Sequence, residues 1–489
     1  MFLQEEEKIR SDLDPNITIA TTTVIADEHL DKRILFKIDP IVLTLVTLVA
    51  TLEFLDKNGL AYAAVFGLKT DTNLVGQEYS WLGSIFYFGY LAALVPCLYL
   101  VNVVHTGRFI GALTTLWGIT IMCMAACHNF AGLATVRFFL GIFESGILPC
   151  FMVLQAKWWR RPEQALRTAL WYNTFAGIFG GILSFAIGHI NGKLAVWKYI
   201  FLIYGSVTIL VGIVVFFALP DSPATAWFLK RDEKLRGTAR LAENQQGQEK
   251  KKFDYRQCLE LVKDPKYWVV VLFVVAQAIT NAGITNFNPL IISGFGYSKS
   301  KTTLMATPQA AVAFVAQVIL SSIVLFVPNI RCLLWVLSCL PALTGAVMVH
   351  TIDRVAHRYA ALTGVYLMGF YNVPWVLCLS LVTSNNAGTT KKTFASISVA
   401  TAYAVGNIIG PQFFRSSQAP TYNLGIYAMM VCFAIMCVCG GVYWGLVKLE
   451  NNRRDRLYGK PLHDTQQIID EAYHTGDTDV KNRNFRYSW

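Results

Sequence analysis

Charge is scarce along this chain. Of 489 residues only 15% are charged, against 54% hydrophobic, where a soluble chain carries about 25% charged residues. That shortage excludes an ordinary soluble fold. The apolar runs that take its place are long enough for a bilayer to be the solvent. No CxxC pair occurs among the 11 cysteines, and Cys437 and Cys439 are too close for a zinc knuckle. Most of the others, such as Cys97, Cys150, Cys339 and Cys378, lie within or beside apolar runs. They read as small packing residues, not as metal ligands or a disulfide framework. There is no HExxH, GxSxG, P-loop or GxGxxG pattern, so neither an enzyme nor a cofactor is expected. The opening residues run Met1-Phe2-Leu3-Gln4 into Glu5, Glu6 and Glu7. They hold no apolar core, so no cleavable signal peptide is expected, and the first apolar helix must direct insertion.

What is present is a series of apolar runs, each near the roughly 20 residues that cross a hydrocarbon core. Twelve spans are expected: 40–63, 80–102, 108–128, 132–154, 169–190 and 197–219, then 267–293, 304–327, 331–350, 357–383, 393–412 and 424–447. The predicted fold is an all-α membrane protein, twelve transmembrane helices in two pseudo-symmetric six-helix bundles. The net charge of +11 fits a topology signal better than nucleic-acid binding, because Lys and Arg sit between the apolar runs. With both termini cytoplasmic, inner segments hold 32 Lys and Arg and outer loops 8; Lys57 and Arg137 complete the 42. A four-to-one bias agrees with the positive-inside rule, and an odd helix count would scramble it. The organisation expected is a cytoplasmic tail over 1–35, a bundle over 36–220, a charged cytoplasmic linker over 221–266, a second bundle over 267–449 and a cytoplasmic tail over 450–489. The sequon Asn16-Ile17-Thr18 then falls inside and should be unused.

The halves look like repeats. Gly177 and Gly181 in the fifth span, and Gly406 and Gly410 in the eleventh, form GxxxG at matching places. Small residues four apart let helix backbones approach closely, and matched positions fit a parallel repeat.

Ionisable groups at membrane depth are costly and call for a reason. The first span holds Glu53, Asp56 and Lys57, and the fourth holds Arg137 and Glu144. Glu53 and Lys57 are i and i+4, so they share a helix face and can pair, and Glu53 and Asp56, i and i+3, crowd on that same face. Arg137 and Glu144 are two turns apart on one face. These faces are expected to meet a water-accessible cavity. The plainer alternative is a set of salt bridges that latch helices without touching a ligand. A carboxylate beside a cation can also change protonation with its surroundings, which nominates Asp56 and Glu144, with Glu53 behind them, for proton coupling. The second half offers amides and aromatics instead: Asn281, Asn286, Asn288, Tyr371, Asn372 and Trp375. A carboxylate would be drawn to Lys57 and Arg137, and the rest of such a solute to Asn281, Asn286 and Asn372. His105 and His128, at span ends, read as interfacial.

Several motifs together resemble a known family. Phe54-Leu55-Asp56-Lys57 with Leu60-Ala61-Tyr62-Ala63-Ala64 is similar to the first-helix signature of the fungal allantoate permease group, in the anion:cation symporter family of the major facilitator superfamily. Tyr79-Ser80-Trp81-Leu82-Gly83-Ser84-Ile85-Phe86-Tyr87 continues the match, followed by Arg137 through Glu144 closed by Pro149. Later come Leu219-Pro220-Asp221-Ser222-Pro223, Asp264-Pro265-Lys266 and Gly406-Asn407-Ile408-Ile409-Gly410-Pro411-Gln412. The resemblance covers about 35–450. It implies a monomeric plasma-membrane carrier, embedded in the lipid bilayer, that moves a small organic anion such as allantoate, nicotinate or pantothenate with protons. The alternatives are a major-facilitator transporter of a fungal secondary metabolite or its precursor, and, lower, a transport-inactive nutrient sensor. After the second span the family shows an acidic residue, then Pro, then Asn and Arg; here the order is Leu94-Val95-Pro96-Cys97-Leu98-Tyr99, and the acidic and basic members are gone. The charged loop signature between the second and third spans is reduced to Gly107-Arg108, which leaves the usual charge latch unaccounted for.

Overall fold

A computed structural model describes residues 28–160, 163–164, 167–168, 176–245, 254–459 and 478–489. The Asn16 sequon, most of the run from Gln245 to Lys252 and the start of the fifth predicted span lie outside the described residues. Among the described residues, eleven helices are long and apolar enough to cross a membrane: Leu30–Val65, Glu78–Val101, Thr106–Met124, Phe130–Trp158, Val196–Ala218, Pro265–Ser293, Lys299–Val324, Arg331–Thr351, Arg358–Asn385, Thr390–Phe413 and Asn423–Tyr458. The shorter apolar helix Ala176–Ile187 stands where the fifth span was expected. The architecture is all-helical and multi-span. Spans are numbered below in chain order, with Ala176–Ile187 as the fifth.

These stretches are helical because a backbone in hydrocarbon must satisfy its own hydrogen bonds. Their outward faces remain apolar: Leu210, Phe217, Phe326 and Val438 are all exposed, as expected where lipid is the neighbour. Small residues set the closest approaches. A Cβ on Gly89 of the second span would strike the Phe138 carbonyl of the fourth, and one on Gly141 the Phe86 carbonyl. The two GxxxG pairs do pack helices, but against different kinds of neighbour. Gly177 faces Ala310 and Gly181 faces Thr307 and Thr303 of the eighth span, across the two halves. Gly406 faces Ala278 and Gly410 faces Ala282 and Ile279 of the seventh span, within one half. Matched sequence positions therefore do unmatched work.

Two span limits differ from expectation. The first span begins earlier than 40, because the helix Glu28–Ile38 runs through a π turn at Asp39–Leu43 into Thr44–Val65. Pro40 supplies no N–H at that turn, and the Asp39 carboxylate accepts from Arg167 at 2.6 and 2.8 Å and from Trp159 Nε1 at 2.9 Å. The twelfth span stays helical to Tyr458, well past 447, because Asn451, Arg454 and Asp455 in its charged extension bind residues 478–489 at 2.7–3.3 Å.

The face that carries the linker is ordered by ion pairs in the first half. The linker helix Arg231–Gln245 docks beside Glu28–Ile38 through Arg236–Asp31 at 2.7 Å and Lys37–Glu233 at 2.6 Å. Arg160 also reaches Asp31, at 3.1 Å, and Arg240 pairs with Glu163. The weak loop signature after the second span is offset locally. Asp221 accepts from the Gly107 backbone N–H at 2.7 Å and meets His105 Nδ1 at 2.6 Å, so a latch exists there with His105 in place of the missing charges.

At the opposite end, hydrogen bonds tie the halves together. Tyr79 Oη donates to the Asn286 carbonyl at 2.8 Å, Ser80 Oγ to Phe414 at 3.0 Å and Ser84 Oγ to Ile408 at 2.6 Å. Gln77 and Gln412 extend this seam, and Lys69 Nζ lies 4.2 Å from the Tyr79 ring and 3.4 Å from Tyr422 Oη. This end is closed.

Candidate functional site

Every charge expected at membrane depth lies in the first half, on the first and fourth spans. Lys57 Nζ sits 2.5 Å from Glu53 Oε1, the i,i+4 pair the spacing implies, and 3.5 Å from Glu144 Oε2. One cation thus lies between two carboxylates from different spans. Lys57 and Glu53 keep about a quarter of their side chains exposed, at 27% and 23%, whereas Glu144 is at 1%. Neither Glu144 oxygen has a hydrogen-bond partner among the described residues.

Asp56 departs from expectation. It does not share the Lys57 pair; it turns into the first half and is 4% exposed. Its Oδ2 accepts from Thr208 of the sixth span at a long 3.4 Å, and its Oδ1 has no partner among the described residues. Adjacent residues on a helix point about 100° apart, so Asp56 leaves the Lys57 face, and that rotation is enough to replace a water-facing site by a packed one. Arg137 and Glu144 share a helix face, yet they form no ion pair within 4.0 Å among the described residues. Arg137 Nε donates to the Leu82 carbonyl at 3.3 Å, and the guanidinium lies 5.7 Å from the Phe86 ring centroid.

Between the halves lies a small, partly open cavity. Asn58 and Tyr62 of the first span line it, with Thr285 and Asn288 of the seventh, Gln309 of the eighth, and Tyr371 and Asn372 of the tenth. Among the five predicted substrate contacts, Asn372 lines this cavity and Lys57 precedes a lining residue, Asn58. The other two amides are committed elsewhere. Asn281 donates to Tyr403 Oη and to Asn407 Oδ1, both at 3.0 Å, and accepts from Tyr371 Oη at 3.0 Å. Asn286 donates to the Ala282 carbonyl at 2.9 Å and packs against Gly83 at the closed seam. Both read as scaffold.

Asn58 and Gln309 are lining residues the sequence reading passed over. The available signal was the same as for the others, an amide inside an apolar span. Asn288 is the more informative of the amides, being 4% exposed. It donates to Gln309 Oε1 at 3.2 Å, and its own Oδ1 has no partner among the described residues. The lining groups can hold a solute by amide and hydroxyl hydrogen bonds.

Comparison with known proteins agrees with this architecture. The Major Facilitator Superfamily profile matches residues 46–411. The chain is a member of the major facilitator superfamily. It is accordingly a secondary transporter and not an enzyme. An uncharacterized transporter of Schizosaccharomyces pombe is 38% identical over 461 residues, covering 94% of this chain and 87% of the relative. The allantoate permease of Saccharomyces cerevisiae is 32% identical over 472 residues, covering 94% of this chain and 86% of that protein. Among solved structures, a D-xylose-proton symporter superposes with a TM-score of 0.58 at 13% identity, over 82% of this chain and 97% of the other; that likeness is one of fold.

Proposed function

We propose that this transporter moves a small organic anion, a carboxylate of the size of allantoate, nicotinate or pantothenate, together with protons across the plasma membrane of a fungal cell. The observation that carries the reading is a cation at membrane depth, Lys57, shared between Glu53 and Glu144. A cation at membrane depth with two carboxylates can hand one of its contacts to an incoming anion while a displaced carboxylate takes a proton. Arg137, with no carboxylate within 4.0 Å among the described residues, adds a second positive charge to the same half. The similarity to an allantoate permease supports an anion as cargo.

In this reading both termini are cytoplasmic, as the basic residues suggest. The two bundles, 36–220 and 267–449, rock about the cavity as a monomer, with the linker over 221–266 between them. The closed seam at Tyr79, Ser80 and Ser84 is then the outer gate. Uptake by a null strain with a panel of labelled anions, measured against external pH, tests the proposal. Accumulation of a carboxylate that rises as the outside is acidified is expected. Movement confined to neutral or cationic solutes, or accumulation indifferent to pH, overturns it.

A further inference from the structure

We infer that the linker-face ends of the second-half spans form a peptide-binding site, occupied by the chain's own residues 478–489. A short tail on a membrane protein is ordinarily solvated. This one is not: Thr478, Asp479, Phe485, Arg486 and Tyr487 are all buried.

The contacts are specific in chemistry and spread over five spans. Asp479 Oδ1 pairs with Lys391 Nζ at 2.6 Å, and both side chains are wholly buried. The same oxygen accepts from the Ala387 backbone N–H at 3.2 Å, and Oδ2 accepts from Tyr487 Oη at 2.8 Å. Asn451 of the twelfth span reads the Tyr487 backbone in both directions, donating to its carbonyl at 2.8 Å and accepting its N–H at 3.0 Å. Asn385 of the tenth span does the same for Ser488, at 2.8 and 2.7 Å. Paired amide contacts of this kind are how a protein grips an extended peptide backbone. Arg454 Nη1 donates to the carbonyls of Asp479, Asn482 and Phe485 at 2.8–3.3 Å. Lys266 of the seventh span lies 3.5 Å from the Tyr487 ring centroid, and the Arg331 N–H of the ninth donates to the Trp489 carbonyl at 3.2 Å.

The site therefore fits a peptide that first turns, with the Lys481 and Asn482 N–H groups bonded to the Thr478 carbonyl, and that carries one buried acid and one tyrosine. Its occupancy joins the ends of the seventh, ninth, tenth, eleventh and twelfth spans into one body. The first half is joined at the same face by different means, the pairs around Asp31 and Glu163. Asp479→Asn would leave Lys391 buried under the segment without its pairing carboxylate. Removing one member of a buried pair is strongly unfavourable, equivalent to roughly a 10²- to 10³-fold loss of affinity.

The test uses the folded full chain. A protease site placed within 460–477 is cut after purification, and the complex is followed by size exclusion and mass spectrometry. The peptide should remain bound and should exchange with a labelled synthetic peptide of residues 478–489. A peptide carrying Asp479→Asn should compete roughly 10²- to 10³-fold more weakly. Immediate loss of the cut peptide from protein that stays monodisperse overturns the inference, as do equal affinities of the two peptides. Neither readout depends on the identity of the transported solute.

Discussion

Replacing Glu144 by Gln separates a coupling carboxylate from a structural one. In a medium of effective dielectric about 20, unit charges at the observed 3.5 Å attract by about 5 kcal/mol before the cost of taking them from water is counted. That desolvation cost offsets most of the attraction in a buried pair. Lys57 also keeps Glu53 at 2.5 Å in the variant, so no cation is stranded. The net cost to folding should therefore be small, about 1 kcal/mol or less, and the protein should reach the membrane. Function should respond differently. If one proton accompanies each solute, a difference of one pH unit is worth about 1.4 kcal/mol, or tenfold accumulation. The wild type should show that factor in proteoliposomes with a pH difference and no membrane potential. Glu144→Gln should equilibrate its solute without concentrating it, while counterflow exchange persists. Asp56→Asn is the companion, since Thr208 donates to Asp56 at 3.4 Å and the amide oxygen can accept in the same way. Undiminished tenfold accumulation in both variants would refute the reasoning, because no other carboxylate at the site is as enclosed.

Arg137→Lys keeps the charge but loses the planar, two-bond recognition of a carboxylate; solute affinity of purified protein should fall by about tenfold, and unchanged affinity with only a slower rate would assign Arg137 to gating. Asn281→Ala removes the partner of three groups, Tyr371, Tyr403 and Asn407, and should lower thermal stability by about 1–3 kcal/mol; a stable variant with altered solute preference would restore Asn281 as a direct contact. The Lys69 ammonium is pushed down to about 8 by burial, whereas opening of the outer end returns it to water and to its ordinary value of about 10.4. The closed form thus binds this proton less tightly, so raising pH from about 8 to about 10.4 should favour closure, and below about 8 the balance should be flat. The Tyr422 hydroxyl, pushed up to about 12 by burial, stays neutral through that window. Crosslinking of cysteines introduced at Gln77 and Gln412 should report the slope in the wild type and its loss in Lys69→Met; an equal slope in both overturns the assignment.

That the chain is all-helical, multi-span and set in a membrane was legible in the sequence, because a bilayer admits few backbone solutions and an apolar run of about 20 residues declares one. So was the Glu53–Lys57 contact, since i,i+4 spacing on one helix is a local matter. What escaped depended on how helices pack against each other. Asp56 and Lys57 are neighbours in sequence, yet one is sealed against the sixth span and the other is shared with the fourth. Asn281 and Asn372 have the same side chain in the same kind of span, but only the second lines the cavity, because Tyr371, Tyr403 and Asn407 occupy the first. Gly177 and Gly406 sit at equivalent places in a repeat, yet one meets the opposite half and the other its own. Residues 478–489 look like any polar tail until Lys391, Arg454, Asn385 and Asn451 converge from three spans to receive them. Composition and spacing determine which residues are costly to bury. Only the tertiary structure decides which neighbour offsets that cost, since the partner is set by helix rotation and crossing, and a rotation of tens of degrees exchanges one partner for another.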